Sequence, residues 1–102
     1  MDIIEKIKMS DFGSSIGTRD IAAQIRERVE HELGLNKRIM FDFGGVQIIS
    51  SGFADELFGK LFRKLGRKNF FQRIRINGFE STTQKDLIGL VIQKALVPGE
   101  NR

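Results

Sequence analysis

The residues best suited to chemistry are a serine pair, Ser50-Ser51, and a carboxylate pair, Asp55-Glu56, which follows closely in the sequence. A serine hydroxyl can carry a phosphoryl group, or it can cap a helix by accepting a hydrogen bond from a backbone N–H. Adjacent residues on a helix point about 100° apart, so the carboxylates do not form a tight acid–base pair. We expect them on the surface, complementing the helix dipole or binding a basic side chain of a partner.

Few other residues could support catalysis. Cysteine is absent, and His31 is the one histidine in 102 residues. This composition excludes disulfides, thiolate metal sites and a His-His zinc motif, and a Ser-His-Asp triad would need His31. We expect His31 to be exposed, because glutamates flank it on both sides. We therefore predict no metal, no cofactor and no enzymatic activity, and favour a binding or regulatory module.

A glycine- and serine-rich stretch precedes the first predicted helix and could bind an anion. Backbone N–H groups at a helix N-terminus attract anions. The stretch lacks the Gly-Lys-Ser/Thr ending of a P-loop, and its Gly13-x-x-x-Gly17 spacing is not the dinucleotide-binding fingerprint. We favour an ordinary turn capped by Thr18 and keep anion binding as the alternative. The residues concerned are Gly13, Ser14, Ser15, Gly17, Thr18 and Arg19.

The positive charge is concentrated in one part of the chain. The net charge is +4, yet residues 57–79 contain seven basic side chains and no acidic one. Such a segment can attract nucleic acid, anionic lipid or an acidic protein surface. A solvated helix face is the favoured interpretation, and a nucleic-acid-binding accessory domain is the alternative. The predicted basic patch consists of Lys60, Arg63, Lys64, Arg67 and Lys68.

The elements that must position these residues alternate as β-α-β-α-β-α. Alternating apolar residues predict strands, and apolar residues at helical spacing predict the helices between them. This order is typical of a mostly parallel sheet with right-handed crossovers. The predicted strands cover 3–9, 38–43 and 73–77, and the predicted helices cover 19–33, 51–68 and 82–96.

Residue types at the element ends sharpen these boundaries. Thr18 is a good N-cap, Gly34 is placed to stop the first helix, and Ser81 has capping-box spacing to Gln84. The central strand directs Phe41 to one face and Met40 to the other. We therefore expect helices to cover both faces of the sheet.

One stretch, from Ile39 to Phe53 (IMFDFGGVQIISSGF), is distinctive. It resembles the central segment of STAS domains, the fold of anti-sigma-factor antagonists, in which a strand ending in Asp-x-x-x-Val leads to Ser-Ser-Gly and a helix. The continuation Gly52–Leu57 and the early stretch Phe12–Arg19 (FGSSIGTR) are similar to a STAS-like family of small bacterial proteins. The resemblance covers roughly residues 8–80.

The resemblance implies an α/β fold with a mostly parallel or mixed sheet of about three to four strands and three helices. It implies a single STAS-like domain over residues 1–102, of which we expect 98–102 to be a frayed tail. We expect a cytoplasmic protein, because the sequence shows no signal peptide and no membrane span.

By the same resemblance, the protein would bind a histidine-kinase-like ATPase or an anti-sigma-type kinase and be switched by serine phosphorylation. The matching phosphoacceptor is Ser51, with Ser50 as the second candidate. From the residue types themselves, the candidate partner-binding residues are Gly52, which allows a close backbone approach, and the carboxylates of Asp55 and Glu56. Two features depart from the antagonists: Ile49 replaces their usual acidic residue, and they have no equivalent of the Asp55-Glu56 pair.

Overall fold

A computed structural model describes residues 3–96 and shows strands alternating with helices. The helical elements from 51 to 65 follow one another without a break, and we call them the central helix. The elements are β1 (Ile3–Lys8), a 3-10 turn (Met9–Phe12), β2 (Ser15–Ile16), α1 (Arg19–Gly34), β3 (Lys37–Asp42), β4 (Ile48–Ile49), α2 (Ser51–Ala54), a π-helical segment (Asp55–Gly59), α3 (Lys60–Leu65), α4 (Arg67–Arg73), β5 (Ile74–Asn77) and α5 (Thr82–Leu96).

The main sheet is parallel and has the order β1-β3-β5, as the alternation of strands and helices predicted. Its register pairs Ile7 with Phe41 and Phe41 with Ile76. A second, very small parallel sheet joins β2 to β4. These two strands were not predicted, because two residues are too few to show an alternating pattern.

The helices cover one face of the main sheet. On that face Ile39 and Phe41 are fully buried. On the other face, within residues 3–96, Ile4 is 60% exposed, Arg75 is exposed and Met40 is half-buried. The expectation of two covered faces was therefore wrong, because a single outward Met40 among polar neighbours does not create a second core.

The core lies between the sheet and the central helix. The ring of Phe58 packs edge-on against Phe41 with the ring centroids 5.0 Å apart, and the ring of Phe79 stacks on Phe43 at 5.2 Å. The π-helical segment contacts both α1 and α5. The central helix is therefore enclosed on three sides, which explains the wide apolar stripe in its sequence.

The central helix ends one turn earlier than predicted. Gly66 adopts a φ of +82°, which suits glycine, and the chain then begins α4. Arg67 and Lys68 therefore lie on α4 and not on the central helix. The predicted tail at 98–102 lies outside the described residues.

Candidate functional site

The serine pair lies at the start of the central helix, and its two hydroxyls have different environments. Ser50 is the N-cap: its Oγ accepts a hydrogen bond from the Phe53 backbone N–H at 3.0 Å and donates one to the Gly17 carbonyl at 2.8 Å. Ser51 is the first residue of α2, and it is exposed. Ser50 therefore has the structural capping role, whereas Ser51 is the accessible hydroxyl of the pair.

Gly52 lets the side chain of Arg19 approach the backbone of the central helix. A Cβ atom on Gly52 would lie only 3.3 Å from the Arg19 Nε atom. The same guanidinium group has its NH1 atom 3.4 Å from the Asp55 carboxylate and 3.6 Å from that of Glu56. A cation is thus held directly beside the residue that follows Ser51.

Glu56 is buried, although the sequence suggested a surface position. The residue is 8% exposed, and its carboxylate lies 3.2 Å from the Arg26 guanidinium and 3.0 Å from Lys60 Nζ. The hydrogen bond from Lys60, and then that from Arg26, lowers the pKa of Glu56 from its ordinary value. A buried carboxylate needs such partners, because removal from water is costly for an unpaired charge. The expected surface position of Glu56 was therefore wrong, and its carboxylate is occupied by cations of the same chain.

Asp55 remains accessible and extends this set of ion pairs. Its carboxylate contacts Arg19 and also lies 3.6 Å from Arg63, and the side chain is 41% exposed. Glu30 joins the set through Arg26 at 3.1 Å and Lys64 at 3.2 Å. We call these residues the charge cluster: the carboxylates of Glu30, Asp55 and Glu56 with the cations of Arg19, Arg26, Lys60, Arg63 and Lys64.

The charge cluster has more cations than carboxylates. Three carboxylates face five cations, which leaves a formal charge of +2. Of these cations, Arg19 lies beside Gly52, the residue that follows Ser51, and the carboxylates of Asp55 and Glu56 are both paired.

The π-helical segment explains how these residues are presented. In it, the Lys60 backbone N–H donates to the carbonyl of Asp55, five residues earlier, and the helix is locally widened. All four residues from Glu56 to Gly59 are buried. A Cβ on Gly59 would lie 2.7 Å from Asp55 Oδ1, so a larger residue here would displace the Asp55 carboxylate. Segments of this kind are frequent at functional sites.

The stretch proposed to bind an anion mainly supports the central helix. The Ser14 carbonyl accepts hydrogen bonds from the backbone N–H groups of Gln47 and Ile48, and β2 pairs with β4. Thr18 caps α1 by accepting a hydrogen bond from the Ile21 N–H, which confirms the predicted cap. The stretch thus ties the start of α1 to the start of the central helix, and its described contacts do not point to a bound anion.

The side chains of the predicted basic patch have two kinds of surroundings. Lys60, Arg63 and Lys64 belong to the charge cluster. The Arg67 guanidinium lies 5.8 Å from the centroid of the Phe71 ring on α4, and Lys68 is exposed there. The uniform basic segment in the sequence is therefore divided into a paired group and an unpaired group within the described residues.

Three residues that make long-range contacts were not predicted from the sequence: Arg26, Glu30 and Arg73. Arg26 and Glu30 supply the α1 half of the charge cluster, and their i,i+4 spacing was the only signal that could have indicated an ion pair. Arg73 donates hydrogen bonds to the carbonyls of Leu33 and Lys37, at 2.8 and 2.9 Å, at the end of α1. No sequence pattern predicts a contact between residues about 40 positions apart.

Comparison with known families agrees with this architecture. A family model described as a STAS-like domain of unknown function (DUF4325) matches residues 22–84, well over half of the chain. The chain belongs to this STAS-like family. The matched range includes Ser50, Ser51, β3, β5 and the charge cluster, of which only Arg19 lies outside it. β1 also lies outside the matched range. The chain has no significant match among the curated proteins or the solved structures.

Two further observations concern the described residues 3–96. None of the helices there has the length and apolar character needed to cross a membrane. No group of three or more His, Cys, Asp or Glu side chains in that range is arranged to hold a metal ion.

Proposed function

We propose that this STAS-like domain is a regulatory protein–protein interaction module that acts by binding and not by catalysis. Its docking surface is the N-terminal end of the central helix, and its partner is a signalling protein of the kinase or ATPase type. The observation that carries the proposal is the exposed Ser51 hydroxyl, which lies beside Gly52 and Arg19 at the edge of the charge cluster.

Phosphorylation of Ser51 is the proposed switch. A phosphoryl group carries a charge of about −2 at neutral pH and is stabilised at a helix N-terminus. Arg19 supports this proposal, because its guanidinium already lies against Gly52. A phosphate on Ser51 would compete with Asp55 for Arg19, since a guanidinium group binds phosphate strongly.

This exchange changes the docking surface without unfolding the domain. The cap on the helix is Ser50, which does not take part in the exchange. Before phosphorylation the partner meets the exposed groups Ser51, Asp55 and Arg19; afterwards it meets a compact dianion. A charge that becomes buried at an interface without a partner opposes binding by several kcal/mol.

The test compares wild-type protein with Ser51→Asp, Ser51→Ala and a matched control, Thr82→Asp. Thr82 is a matched position, because it is the exposed first residue of α5 just as Ser51 is the exposed first residue of α2. The residue before each of them accepts a hydrogen bond from a backbone N–H three residues later: Ser81 from Gln84, and Ser50 from Phe53. A tagged chain captures partners from its native cells, and the captured kinase- or ATPase-type protein is then purified and its affinity measured for each variant. Treatment with that partner and ATP, followed by mass spectrometry, locates the phosphate.

We expect Ser51→Asp to weaken partner binding by at least about tenfold, which corresponds to roughly 1.4 kcal/mol. Ser51→Ala should keep its affinity and accept no phosphate, and Thr82→Asp should bind like the wild type. Equal affinity of all four proteins would remove Ser51 from the mechanism, and phosphate at another residue would refute the proposed switch.

The nucleic-acid-binding alternative has less support. It relied on a continuous basic segment, and three residues of the predicted patch, Lys60, Arg63 and Lys64, are paired with carboxylates. Paired cations attract phosphate backbones less, because their field is partly cancelled.

A further inference from the structure

A groove runs between the outer side of β5 and α5, away from the charge cluster. It has a volume of about 380 Å³ and a mostly apolar lining. Phe71 is 48% exposed at its rim, whereas Ile74 and Ile88 are buried in its floor. We call it the β5 groove; its apolar lining includes Phe71, Ile74, Ile76, Phe79, Ile88 and Ile92.

β5 is an edge strand of the sheet formed by residues 3–96, so its outer backbone groups have no neighbouring strand there. The Asn77 carbonyl accepts a hydrogen bond from the Phe43 N–H and therefore points toward β3. Successive residues of a strand direct their backbone groups to opposite sides, so the N–H and C=O of Ile76 point outward. An outward N–H beside an apolar groove is the arrangement that binds an added strand.

The charged side chains that line the concave surfaces along this strand have one sign. Two further concave surfaces adjoin the β5 groove: one also contacts Phe71 and Arg75, and the other also contacts Arg75 and Ile76. The groove and both of these surfaces are lined by apolar, neutral polar or basic side chains. Within the described part of the chain no carboxylate is among these lining residues, and neither Arg75 nor Lys85 has an ion pair. The basic residues that line them are Arg38, Arg73, Arg75 and Lys85.

We propose that the β5 groove binds an extended segment of a partner protein in which apolar and acidic residues alternate, and that this segment adds to the sheet as a strand beside β5. Side chains of a strand point alternately to its two faces. The apolar residues would enter the groove beside Ile76, and the acidic residues would lie on the open face beside Arg75.

A second copy of this chain fits the same edge poorly. Antiparallel pairing of two β5 strands would bring the Arg75 side chains of both copies near each other, and like charges directly opposite each other are destabilising. The acidic residues of the proposed segment would instead neutralise Arg75. The proposal does not depend on the phosphorylation switch, because the β5 groove and the charge cluster have no residue in common.

The probe is a fluorescent eight-residue peptide in which valine and glutamate alternate. Its comparison peptides are one in which valine and lysine alternate, and one with the valines and glutamates in two separate blocks. The full chain is tested as wild type, as Arg75→Glu and as Lys68→Glu. Lys68 is a matched control, because it is an exposed cation of α4 that does not line the β5 groove.

We expect the alternating valine–glutamate peptide to bind saturably below about 1 mM, and the two comparison peptides to bind at least about tenfold more weakly. Arg75→Glu should weaken binding at least about tenfold, while Lys68→Glu stays within about twofold of the wild type. Bound peptide should slow hydrogen exchange of the Ile76 amide, which reports pairing at the strand edge itself. A melting curve for each variant confirms that it is folded.

The proposal is overturned if the valine–glutamate peptide does not bind, or if the lysine peptide binds equally well. It is also overturned if both charge reversals have the same effect, if the Ile76 amide is not protected, or if sedimentation shows a dimer paired through β5. None of these results bears on Ser51, so failure here is distinguishable from failure of the proposed switch.

Discussion

Lys60, Arg63 and Lys64 of the charge cluster come from the same basic stretch of sequence as Arg75 beside β5, but their electrostatic surroundings are opposite. Lys60 Nζ lies 3.0 Å from the carboxylate of the buried Glu56. The Arg63 guanidinium lies 3.6 Å from the carboxylate of Asp55. Fifteen positions after Lys60, Arg75 lies on the open sheet face and has no ion pair within residues 3–96. The local surface potential of a basic stretch therefore depends on which helices or strands pack against it, and not on its own sequence alone.

The physical reason lies in α1. This helix packs beside the π-helical segment and brings Arg26 and Glu30 to it, so ion pairs form between two elements far apart in sequence. No helix among the described elements packs on the open face of the sheet, where Arg75 lies. The cations of the first region are therefore paired within the fold, whereas Arg75 in the second is exposed.

The largest expected effect comes from removing the buried carboxylate of the paired region. Glu56→Ala leaves Arg26 and Lys60 without their shared partner, and should lower the free energy of unfolding by about 3 kcal/mol. The matched control is Glu27→Ala on α1, because Glu27 is exposed and has no ion pair within residues 3–96. It should change stability by about 0.5 kcal/mol or less in urea unfolding.

The pH dependence of stability checks the same carboxylate. The folded pKa of Glu56 lies below its ordinary value of 4.5, so the stabilisation is present above that pH and is lost as the pH falls through the folded pKa. The free energy of unfolding of Glu56→Gln should therefore fall less than that of the wild type when the pH is lowered from neutral to acid. Equal stabilities of Glu56→Ala and Glu27→Ala would contradict the assignment of a structural role to the charge cluster.

A smaller change in the free energy of unfolding should distinguish Arg73 from Arg75, two arginines that lie two positions apart. Arg73→Ala removes the hydrogen bonds to the carbonyls of Leu33 and Lys37 and should cost about 2 kcal/mol. Arg75→Ala removes an exposed side chain and should cost about 0.5 kcal/mol or less. Thermal or urea unfolding of both variants decides the point; a larger cost for Arg75 would show that β5 depends on it structurally.

The smallest expected effect concerns nucleic acid. Because much of the predicted basic patch is paired, we expect little binding to single- or double-stranded DNA or RNA at about 150 mM salt, and a steep rise only at low salt. Any low-salt binding should be reduced more by Arg75→Glu with Lys85→Glu than by Lys60→Glu with Arg63→Glu. Sub-micromolar affinity at physiological salt that depends on Lys60 and Arg63 would favour the nucleic-acid alternative.

Local patterns in the sequence were enough to predict the parallel α/β layout and much of the core. The alternating pattern places Ile39, Phe41, Phe43, Ile74 and Ile76 inside; the first four are buried and Ile76 is half-buried against the core. Residues 53–65 are helical as predicted. Thr18 caps α1, and Ser81 accepts a hydrogen bond from the Gln84 N–H as the capping spacing predicted. These features depend on the spacing of neighbouring residues, which a single sequence displays directly.

The sequence shows a pair of hydroxyls and a pair of carboxylates near the start of the central helix. It does not show which member of each pair is accessible to solvent. Ser50 and Ser51 are alike in type, yet the hydroxyl of Ser50 donates to Gly17, 33 positions earlier. Asp55 and Glu56 also differ in exposure, because the π-helical turn directs Glu56 toward α1.

Sequence alone was thus enough for the order of the three main strands and the long helices between them, for the N-caps Thr18 and Ser81, and for the apolar faces. It did not show β2, β4 or the separate α4, and α1 runs through Gly34 to a C-cap at Leu35 instead of stopping before Gly34. Which charges are neutralised, which hydroxyl is exposed and which sheet face is open follow from the tertiary structure. The physical reason is range. Periodicity and capping act over a few residues, whereas burial and ion pairing depend on which distant elements pack together, as Arg26 and Glu56 do across 30 positions.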